Sequence, residues 1–386
     1  MSTEQFSHQF ITEISEVDQN DWQRLAGRSL FTSYAWLGAL ESSGSVSEQI
    51  GWQPYHLVIY QQGSCQPFAI LPGYIKSHSY GEYVFDWAWA EAYERHQLDY
   101  YPKWLCGVPF TPVVGTRLLC KTPTESLYQY ILSALNEATE QHDWSGWHVN
   151  FPSTAEAWSN TRLLERHGVQ FHWHNQQYVD FDAFLATMKA RKRKMIKKER
   201  DKITQSQLTI VWLDKSSINK EIIDLFYQCY CHTYRKRSGH NGYLTRAFFD
   251  LLFTAIPDQI KLCCAYRKDT QTDIQSFVAA SLYLQDEDTL YGRYWGALEH
   301  SEHLHFELCY YQGIDYAISQ QLARFDAGAQ GEHKLLRGFE PVLTHSYHTI
   351  CHPLFNQAID NFINTERSQI AHYALQCKAL LPYKTQ

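Results

Sequence analysis

The sequence predicts a mixed α/β (α+β) fold built as two tandem copies of one unit, and three observations carry that expectation. At 386 residues the chain is long for a single core. Two stretches, His56 to Trp89 and Leu262 to Leu298, break into short alternating strands with polar turns between them, the pattern of an antiparallel meander. Each meander leads into an amphipathic helix and one further strand, so the order helices, antiparallel strands, helix, strand occurs twice.

The elements follow in that order. Trp22 to Ser43 reads as a helical opening. HLVIY, the turn QQGSCQ, FAILPGYIKS and GEYVFDWAW form the first meander, and the helix Glu125 to Gln141 and the strand GWHVNF complete the first copy. LCCAY, the turn RKDTQTDIQ, SFVAASLYL, the turn QDEDT and LYGRYWGAL repeat the outline, followed by a helix from Phe306 to Gln321 and the strand ARFDAG. Identity between the copies is negligible, so the repeat rests on pattern. The expected division is residues 1–170, then 171–365 preceded by a basic helix at about 184–204, then a tail of 366–386.

That basic helix is the most lopsided charge in the chain. Lys189 to Lys202 holds nine bases against Glu199 and Asp201, a net of +7 in a protein of formal charge −7, so the rest carries −14. Leu185, Met188, Met195, Ile196 and Ile203 recur at helical spacing, which predicts a docked helix with one apolar stripe and a basic opposite face. Lys192, Arg193, Lys197 and Lys198 on that face are expected to bind an anionic partner bearing phosphates. A face balanced by acidic neighbours is the plainer reading of the same residues.

Composition narrows the class. The hydrophobic share of 44%, the charged share of 19% and the lack of low-complexity tracts describe a folded, soluble chain. Twenty-six Tyr and 12 Trp exceed what packing asks for, and part of them is expected to line a groove for a polar, extended substrate. The N-terminal residues have neither a basic start nor an apolar core, so no signal peptide is expected, and no apolar run is long enough to span a membrane. Ten cysteines without a CxxC pair fit reduced thiols in a cytoplasm.

Chemistry concentrates between Leu290 and Pro341. The strand LYGRYWGAL offers Arg293 and Tyr294, and FDAGAQGEHKLLRGFEP offers Glu332, His333, Lys334 and Arg337 beside glycines at a strand end. Glu332 and His333 are candidate general bases or acids, and Arg293, Lys334 and Arg337 candidate phosphate or oxyanion partners. GAQGEHK lacks the spacing of a phosphate loop, and no GxSxG elbow occurs. His300, His303 and His305 lack the rigid spacing of a metal motif, so no metal is expected there; capping and substrate contacts are the expectation. In the first copy Lys76, His78, Tyr80, Glu82, Asp86, Trp87 and Trp89 read as one wall of a cleft.

The stretches SLFTSYAWLGALESSGSV, GWQPYHLVIY, KSHSYGEYVFDWAWAEAYERH, YYPKWLCGVPFTPVVGTRLL, RKRKMIKKER, YGRYWGALE, LHFELCYYQGIDYAI and FDAGAQGEHKLLRGFEPV resemble the predicted bacterial N-acyltransferases. These form the Fem-like, or peptidoglycan biosynthesis and recognition, group of the acyl-CoA N-acyltransferase (GNAT) superfamily. The resemblance spans residues 31–360 and implies two tandem GNAT-like domains. It also implies transfer of an acyl or aminoacyl group to an amine, a small molecule or a cell-envelope precursor. Acyl-CoA and aminoacyl-tRNA are the alternative donor substrates, with no permanently bound cofactor. The connection GALEHSEHLHFE departs from the Arg/Gln-x-x-Gly-x-Gly/Ala loop with which GNAT enzymes hold the coenzyme's pyrophosphate.

Residue chemistry then assigns roles for amine attack on an activated carbonyl. Glu332 or His333 is the base, Tyr294 the proton donor, and Arg293 and Lys334 surround the donor's phosphates or the oxyanion. Glu307 and the wall of Lys76, His78, Tyr80, Asp86 and Trp87 hold the acceptor. A different class remains as the alternative: a non-catalytic module recognising a nucleic acid or an anionic envelope component through the basic helix.

Overall fold

The computed structural model describes residues 6–153, 158–159, 161–268, 274–329 and 331–384. In chain order the strands and helices are β1 (Phe6–Ile11), α1 (Gln19–Ala26), α2 (Tyr34–Ser42), β2 (Trp52–Pro54), β3 (His56–Gln61), β4 (Pro67–Leu71), β5 (Tyr74–Lys76), α3 (Trp87–Arg95), β6 (Lys103–Cys106), α4 (Glu125–Gln141), β7 (Gly146–Asn150) and β8 (Leu164–His174). There follow α5 (Phe181–Ala186), α6 (Ala190–Gln205), β9 (Leu208–Leu213), α7 (Lys220–Ser238), α8 (Arg246–Ala255), β10 (Ile260–Arg267), β11 (Phe277–Gln285), β12 (Thr289–Ala297) and α9 (Leu304–Phe306). After α9 a π-helical turn, Glu307–Tyr311, continues into α10 (Gln312–Ser319); β13 (Arg324–Asp326), β14 (Glu340–Ile350) and α11 (Pro353–Ala379) complete the chain. Part of the turn expected after Arg267, residues 269–273, and Gln330 of the GAQGEHK stretch lie outside the described residues.

Two compact units result, Met1–Gly168 with Leu343–His372, and Val169–Val342 with Tyr373–Gln386. In the first, β1, β3 and β4 form one antiparallel sheet, and β2, β5, β6, β7 and β14 run side by side in another. Helix α4 carries the chain from β6 to its parallel neighbour β7. Thr124 starts α4 by accepting from the Leu127 amide, and Leu127, Ile131 and Leu135, one turn apart, bury a stripe against Trp104 and Trp147.

The second unit repeats that plan. β8, β13, β12, β11, β10 and β9 are neighbours in this order, and α9, the π turn and α10 carry the chain from β12 to parallel β13. Leu308, Ile314 and Ala317 pack on Tyr283, Leu290 and Phe325. The GNAT-type mixed α/β outline read from the sequence is therefore present in both units.

Several expectations need correction. The basic helix is two pieces: α5, capped by Asp180, ends at Ala186, and α6 begins at Ala190. Buried Met188 sits in the break and bridges to Tyr383. Residues 343–365, expected with the second copy, belong to the first unit. Ser346 to Ile350 of β14 pair with Gly146 to Asn150 of β7, and Ile359 and Ile363 pack on Trp89, Tyr93 and Tyr100. The expected tail is ordered: α11 runs to Ala379, and Cys377 joins the second unit's core. Among the described residues no helix is long and apolar enough to cross a membrane.

One irregularity shapes the second unit. Ser281 pairs with Trp295 but Tyr283 with Gly292, so Arg293 and Tyr294 together face Leu282 in a β-bulge. The bulge reverses the alternation of β12. Leu290 and Gly292 approach Tyr283 and Phe325, whereas beyond it Gly296 meets the backbone of α7: a Cβ there falls 1.9 Å from the Cys229 carbonyl oxygen. Gly296→Ala is expected to destabilise the protein by about 2–4 kcal/mol, because backbone must move. Gly239→Ala, with open space around it and only a left-handed φ of +73° to strain, is expected to cost about 1 kcal/mol. Denaturant midpoints of the two variants check this contrast.

Candidate active site

Past the bulge, β12 ends at a cleft of about 500 Å³ between the C-terminal half of α7 and the connection into α9. Lys236, Arg237, Trp295, His300, His305 and Phe306 line it, with Glu299 and Glu302 at its edge. Both carboxylates are committed elsewhere, Glu299 to Arg267 and Glu302 to Lys202 at 3.0 Å. The two α7 cations therefore give the opening a positive character suited to an anionic ligand. Lys236 and Arg237 were not selected from the sequence; the run YRKRSG was their signal, overshadowed by the longer run at 189–202.

Behind the cleft lies a chain of proton-carrying groups. The Tyr310 hydroxyl is 2.8 Å from His333 Nε2 and 3.4 Å from His305 Nε2. His305 Nδ1 is buried and has no hydrogen-bond partner among the described residues. Burial first, then the charges of His333, Arg337 and Lys334, lower the His305 pKa to about 4. His333 is also lowered, by burial and then by Arg337 and Lys334. Burial holds the Tyr310 phenol far above its ordinary range, so it stays protonated. Two neutral imidazoles thus flank one protonated phenol. The π turn at Glu307–Tyr311 places Tyr310 there.

The predicted residues of this unit fall into two groups. Arg293 and Asp326 form a buried pair, with Nη2 to Oδ2 at 2.7 Å and Nη1 to Oδ1 at 3.2 Å. Burial alone raises a carboxyl, but Arg293 holds Asp326 well below the usual range. Lys334 donates to the Ala327 carbonyl at 2.8 Å and to the Gly328 carbonyl, and burial lowers its pKa to about 8. Arg337 donates to the Tyr311 hydroxyl, the His333 carbonyl and Glu199, and stacks 3.6 Å from the centre of Phe306. Glu307 accepts from Arg200 and Gln312, with Oε2 buried and unpartnered among the described residues. Arg293, Lys334 and Arg337 are thus tied into the turn that carries His333 and the strand before it, while Glu307 is held by Arg200 of α6 and Gln312 of α10.

Two of the expected catalytic groups lie apart from the proton chain. Glu332 is exposed and accepts from Tyr373 at 2.7 Å. Tyr294 is buried between Tyr230 and Phe249 of α7 and α8, because the bulge turns it to that face.

The first unit corrects the expected cleft wall. Lys76 is fully buried, donates to the Gly51 carbonyl at 2.8 Å and lies over Trp52. Asp86, also buried, accepts from Lys103 and from Tyr100 at 2.7 Å. Glu82 accepts from Lys103 at 2.9 Å and lies 4.0 Å from Lys76. Burial pushes Lys76 down to about 7 and Glu82 up to about 7. The wall's ionisable groups thus form a neutral buried network of two ammonium and two carboxyl groups. His78 contacts the Ile50 carbonyl at 2.8 Å, and of these residues only Tyr80 (55% exposed) and Trp87 (36%), their rings in contact at a 58° tilt, present a surface. Nearby, buried His148 and His348 meet Nδ1 to Nδ1 at 2.6 Å across β7 and β14, and burial drives both pKa values well down.

On α6 the basic residues also separate. Lys197 pairs with Asp182 at 2.7 Å, and Lys192 and Arg193 are half-buried. Arg191, Lys194, Lys198 and Lys202 recur every three or four residues on the solvent face. That stripe ends at the cleft, where Lys202 reaches Glu302 and approaches His303 Nε2 at 3.4 Å.

Two units with a helix between parallel strands, and a cationic cleft where the second unit's bulged strand meets that helix, define an acyltransferase-type protein of GNAT-like fold. Residues 13–385 match the FemAB-like family, described as peptidoglycan biosynthesis/recognition. The chain belongs to this family, and membership favours acyl or aminoacyl transfer over a purely binding role. The crystal structure of FemX aligns over 91% of this chain and 100% of its own, with a TM-score of 0.50 and 9% identity, which shows the shared fold. L-PGS from Bacillus licheniformis covers 85% of this chain and 95% of its own at a TM-score of 0.47 and 9% identity. A tandem GNAT protein from the clavulanic acid biosynthesis pathway covers 90% and 99% at a TM-score of 0.45 and 10% identity. No curated protein sequence matches the chain.

Four imidazoles withdrawn from water with lowered pKa values, His148, His172, His305 and His348, make the fold acid-sensitive. Each is neutral in the folded chain, while in the unfolded chain it gains a proton as pH falls below about 6.5. Stability is therefore intact above that pH and is lost as pH falls toward the folded values, about 4 for His305. Each fully buried ring contributes up to about 1.4 kcal/mol per pH unit in this window. Urea unfolding between pH 7 and pH 4 should show the decline, and His305→Asn should make it shallower.

Proposed function

We propose that this protein transfers an aminoacyl group from the 3′ end of a tRNA to an amine of a peptidoglycan precursor, with the donor ester in the cleft of the second unit. The paired neutral imidazoles and protonated phenol at the cleft wall carry this reading. His305 is the catalytic residue: with its Nε2–H donated to Tyr310, its Nδ1, unpartnered among the described residues, holds a lone pair that is covered in the free protein and is uncovered by a shift of the ring as substrate enters the cleft. The amine attacks the ester carbonyl, forming the C–N bond and an oxyanion near the α7 cations. His305 Nδ1 accepts the amine proton and returns it to the departing ribose oxygen as the C–O bond breaks. The negative charge developing beside the ring raises its proton affinity in that step. Tyr310 and His333 fix the tautomer and are positioning residues. The ten free cysteines fit a reducing compartment for this chemistry.

His305→Ala should lower kcat by about a hundredfold or more. Tyr310→Phe should cost about tenfold and displace the pH profile. Glu332→Gln and Tyr294→Phe should remain within roughly threefold of the parent, since neither side chain reaches the cleft. Full activity in His305→Ala would sink the assignment.

The tRNA donor is favoured over a coenzyme A ester by the α6 stripe, which runs along the helix to the cleft rim. Replacing Arg191, Lys194 and Lys198 together by Glu should weaken tRNA binding and reduce the slope of log K against log salt by about 2–3. Turnover of acyl-CoA, with none of aminoacyl-tRNA, is the result that replaces this donor.

A further inference from the structure

A second group of reactive side chains lies in the first unit. Glu165 and His167 alternate along β8 and so share one face of that strand; His345 and Tyr347 do the same on β14. His167, His345 and Tyr347 converge on one carboxylate oxygen of Glu165. His345 Nδ1 is 2.9 Å, His167 Nε2 3.3 Å and the Tyr347 hydroxyl 3.3 Å from Glu165 Oε1. The two imidazole rings stand 4.8 Å apart, nearly perpendicular at 77°. The ligand atoms of Glu165, His167 and His345 all lie within 4.8 Å of one another, and each residue is half-buried.

We infer that Glu165, His167 and His345 form a binding site for a divalent transition ion of the zinc class, made of residues other than those that line the cleft of the second unit. A tetrahedral ion at about 2.0–2.1 Å from its nitrogen and oxygen donors separates those donors by about 3.3 Å. One edge, His167 to Glu165 at 3.3 Å, matches that figure and a second, His345 to Glu165 at 2.9 Å, falls about 0.4 Å short, so an ion needs only small side-chain movements to enter. Two imidazoles and one carboxylate are the donor set that borderline ions prefer over magnesium or calcium. Among the described residues neither ring's second nitrogen meets a carboxylate or carbonyl, so its proton can move there when the ligating nitrogen gives its lone pair to the ion. Glu165 is held from behind: Arg367 donates to its main-chain carbonyl and Tyr347 to its side chain. With three protein donors and partial exposure, a fourth position faces solvent. Water, or a carboxylate or phosphate of a bound molecule, can fill it.

The test uses the full chain, stripped with a chelator, and titrates it with Co²⁺ and then Zn²⁺ under reducing conditions. One equivalent of Co²⁺ should bind with the visible spectrum of a nitrogen and oxygen site and without a sulfur-to-cobalt charge-transfer band. That distinguishes it from the exposed thiols Cys65 and Cys351. Zn²⁺ should displace the cobalt and raise the melting temperature. His167→Ala and His345→Ala should each weaken binding by more than about a hundredfold, and Tyr347→Phe by about tenfold. Circular dichroism reports whether each variant folds. The parent's cobalt spectrum decides the matter even where a variant does not. A thiolate spectrum, no uptake by the parent, or uptake retained in a folded His167→Ala/His345→Ala double variant would overturn the proposal.

Discussion

Arg293, at the bulge in the middle of β12, and Asp326, at the end of parallel β13, both have side chains withdrawn from water. Burying two charges costs free energy that their attraction only roughly offsets, so the pair adds little net stability. What it supplies is position. Two parallel guanidinium–carboxylate bonds allow one relative placement of the two strands. Asp326 Oδ1 also accepts from the Gly328 amide at 2.8 Å, and the carbonyls of Ala327 and Gly328 accept from Lys334. The turn between β13 and the short 3₁₀ helix Glu332–Arg337 is thus tied to the strand pair at both ends. His333 sits next to Lys334 in that helix, so its distance from Tyr310 descends from the same salt bridge.

The electrostatics follow from this placement. Lys334 and Arg337 must be buried to hold the turn, and both face the imidazoles on the cleft side. Their charges disfavour protonation of His305 and His333, in the same direction as burial. The cations that serve as scaffold therefore also keep the imidazoles in the form able to accept a proton. Lys334 itself is pushed down by the same burial, which limits the positive charge stored behind the cleft.

The architecture was legible because it depends on periodicity. The second meander, the first two stretches of the first, the helix Glu125–Gln141 and the strand after each helix are set by the spacing of apolar residues and occur where that spacing puts them; GEYVFDWAW, expected as a further strand, instead runs into helix α3 at Trp87. The segment Leu290 to Pro341 was legible as well, since it supplies the end of β12, the π turn and the turn after β13. Which of its side chains meet was not. A single extra residue in β12 sends Tyr294 to the far face, and a single wide turn of helix brings Tyr310 forward. Neither irregularity changes the composition or the apolar pattern around it. Glu332 illustrates the same limit, because the tight 3₁₀ helix points adjacent Glu332 and His333 to different partners, Tyr373 and Tyr310. Residues 343–365 fall with the first unit and not the second because strand pairing is non-local: nothing in Ser346 to Ile350 announces Gly146 to Asn150 as its partner.

Duplication of the unit raises the question of why the proton chain occurs in only one copy. The connection that follows the parallel-pair strand answers it. In the first unit this connection, between β6 and α4, folds back into its own core: Val108, Phe110, Val113, Leu118 and Leu119 are all buried. Arg117, buried with them, donates to the carbonyls of Asn150 at 2.7 Å and Val113. Space that the second unit leaves open is filled there by apolar side chains and by an arginine whose donors serve the backbone. The corresponding connection of the second unit, from Leu298 to His303, is shorter and polar, with His303 held at a φ of 65°. It has too few apolar groups to fold inward, so it stays at the rim and leaves the cleft. A longer, apolar connection turns the unit into a support, and a short, polar one leaves room for a substrate.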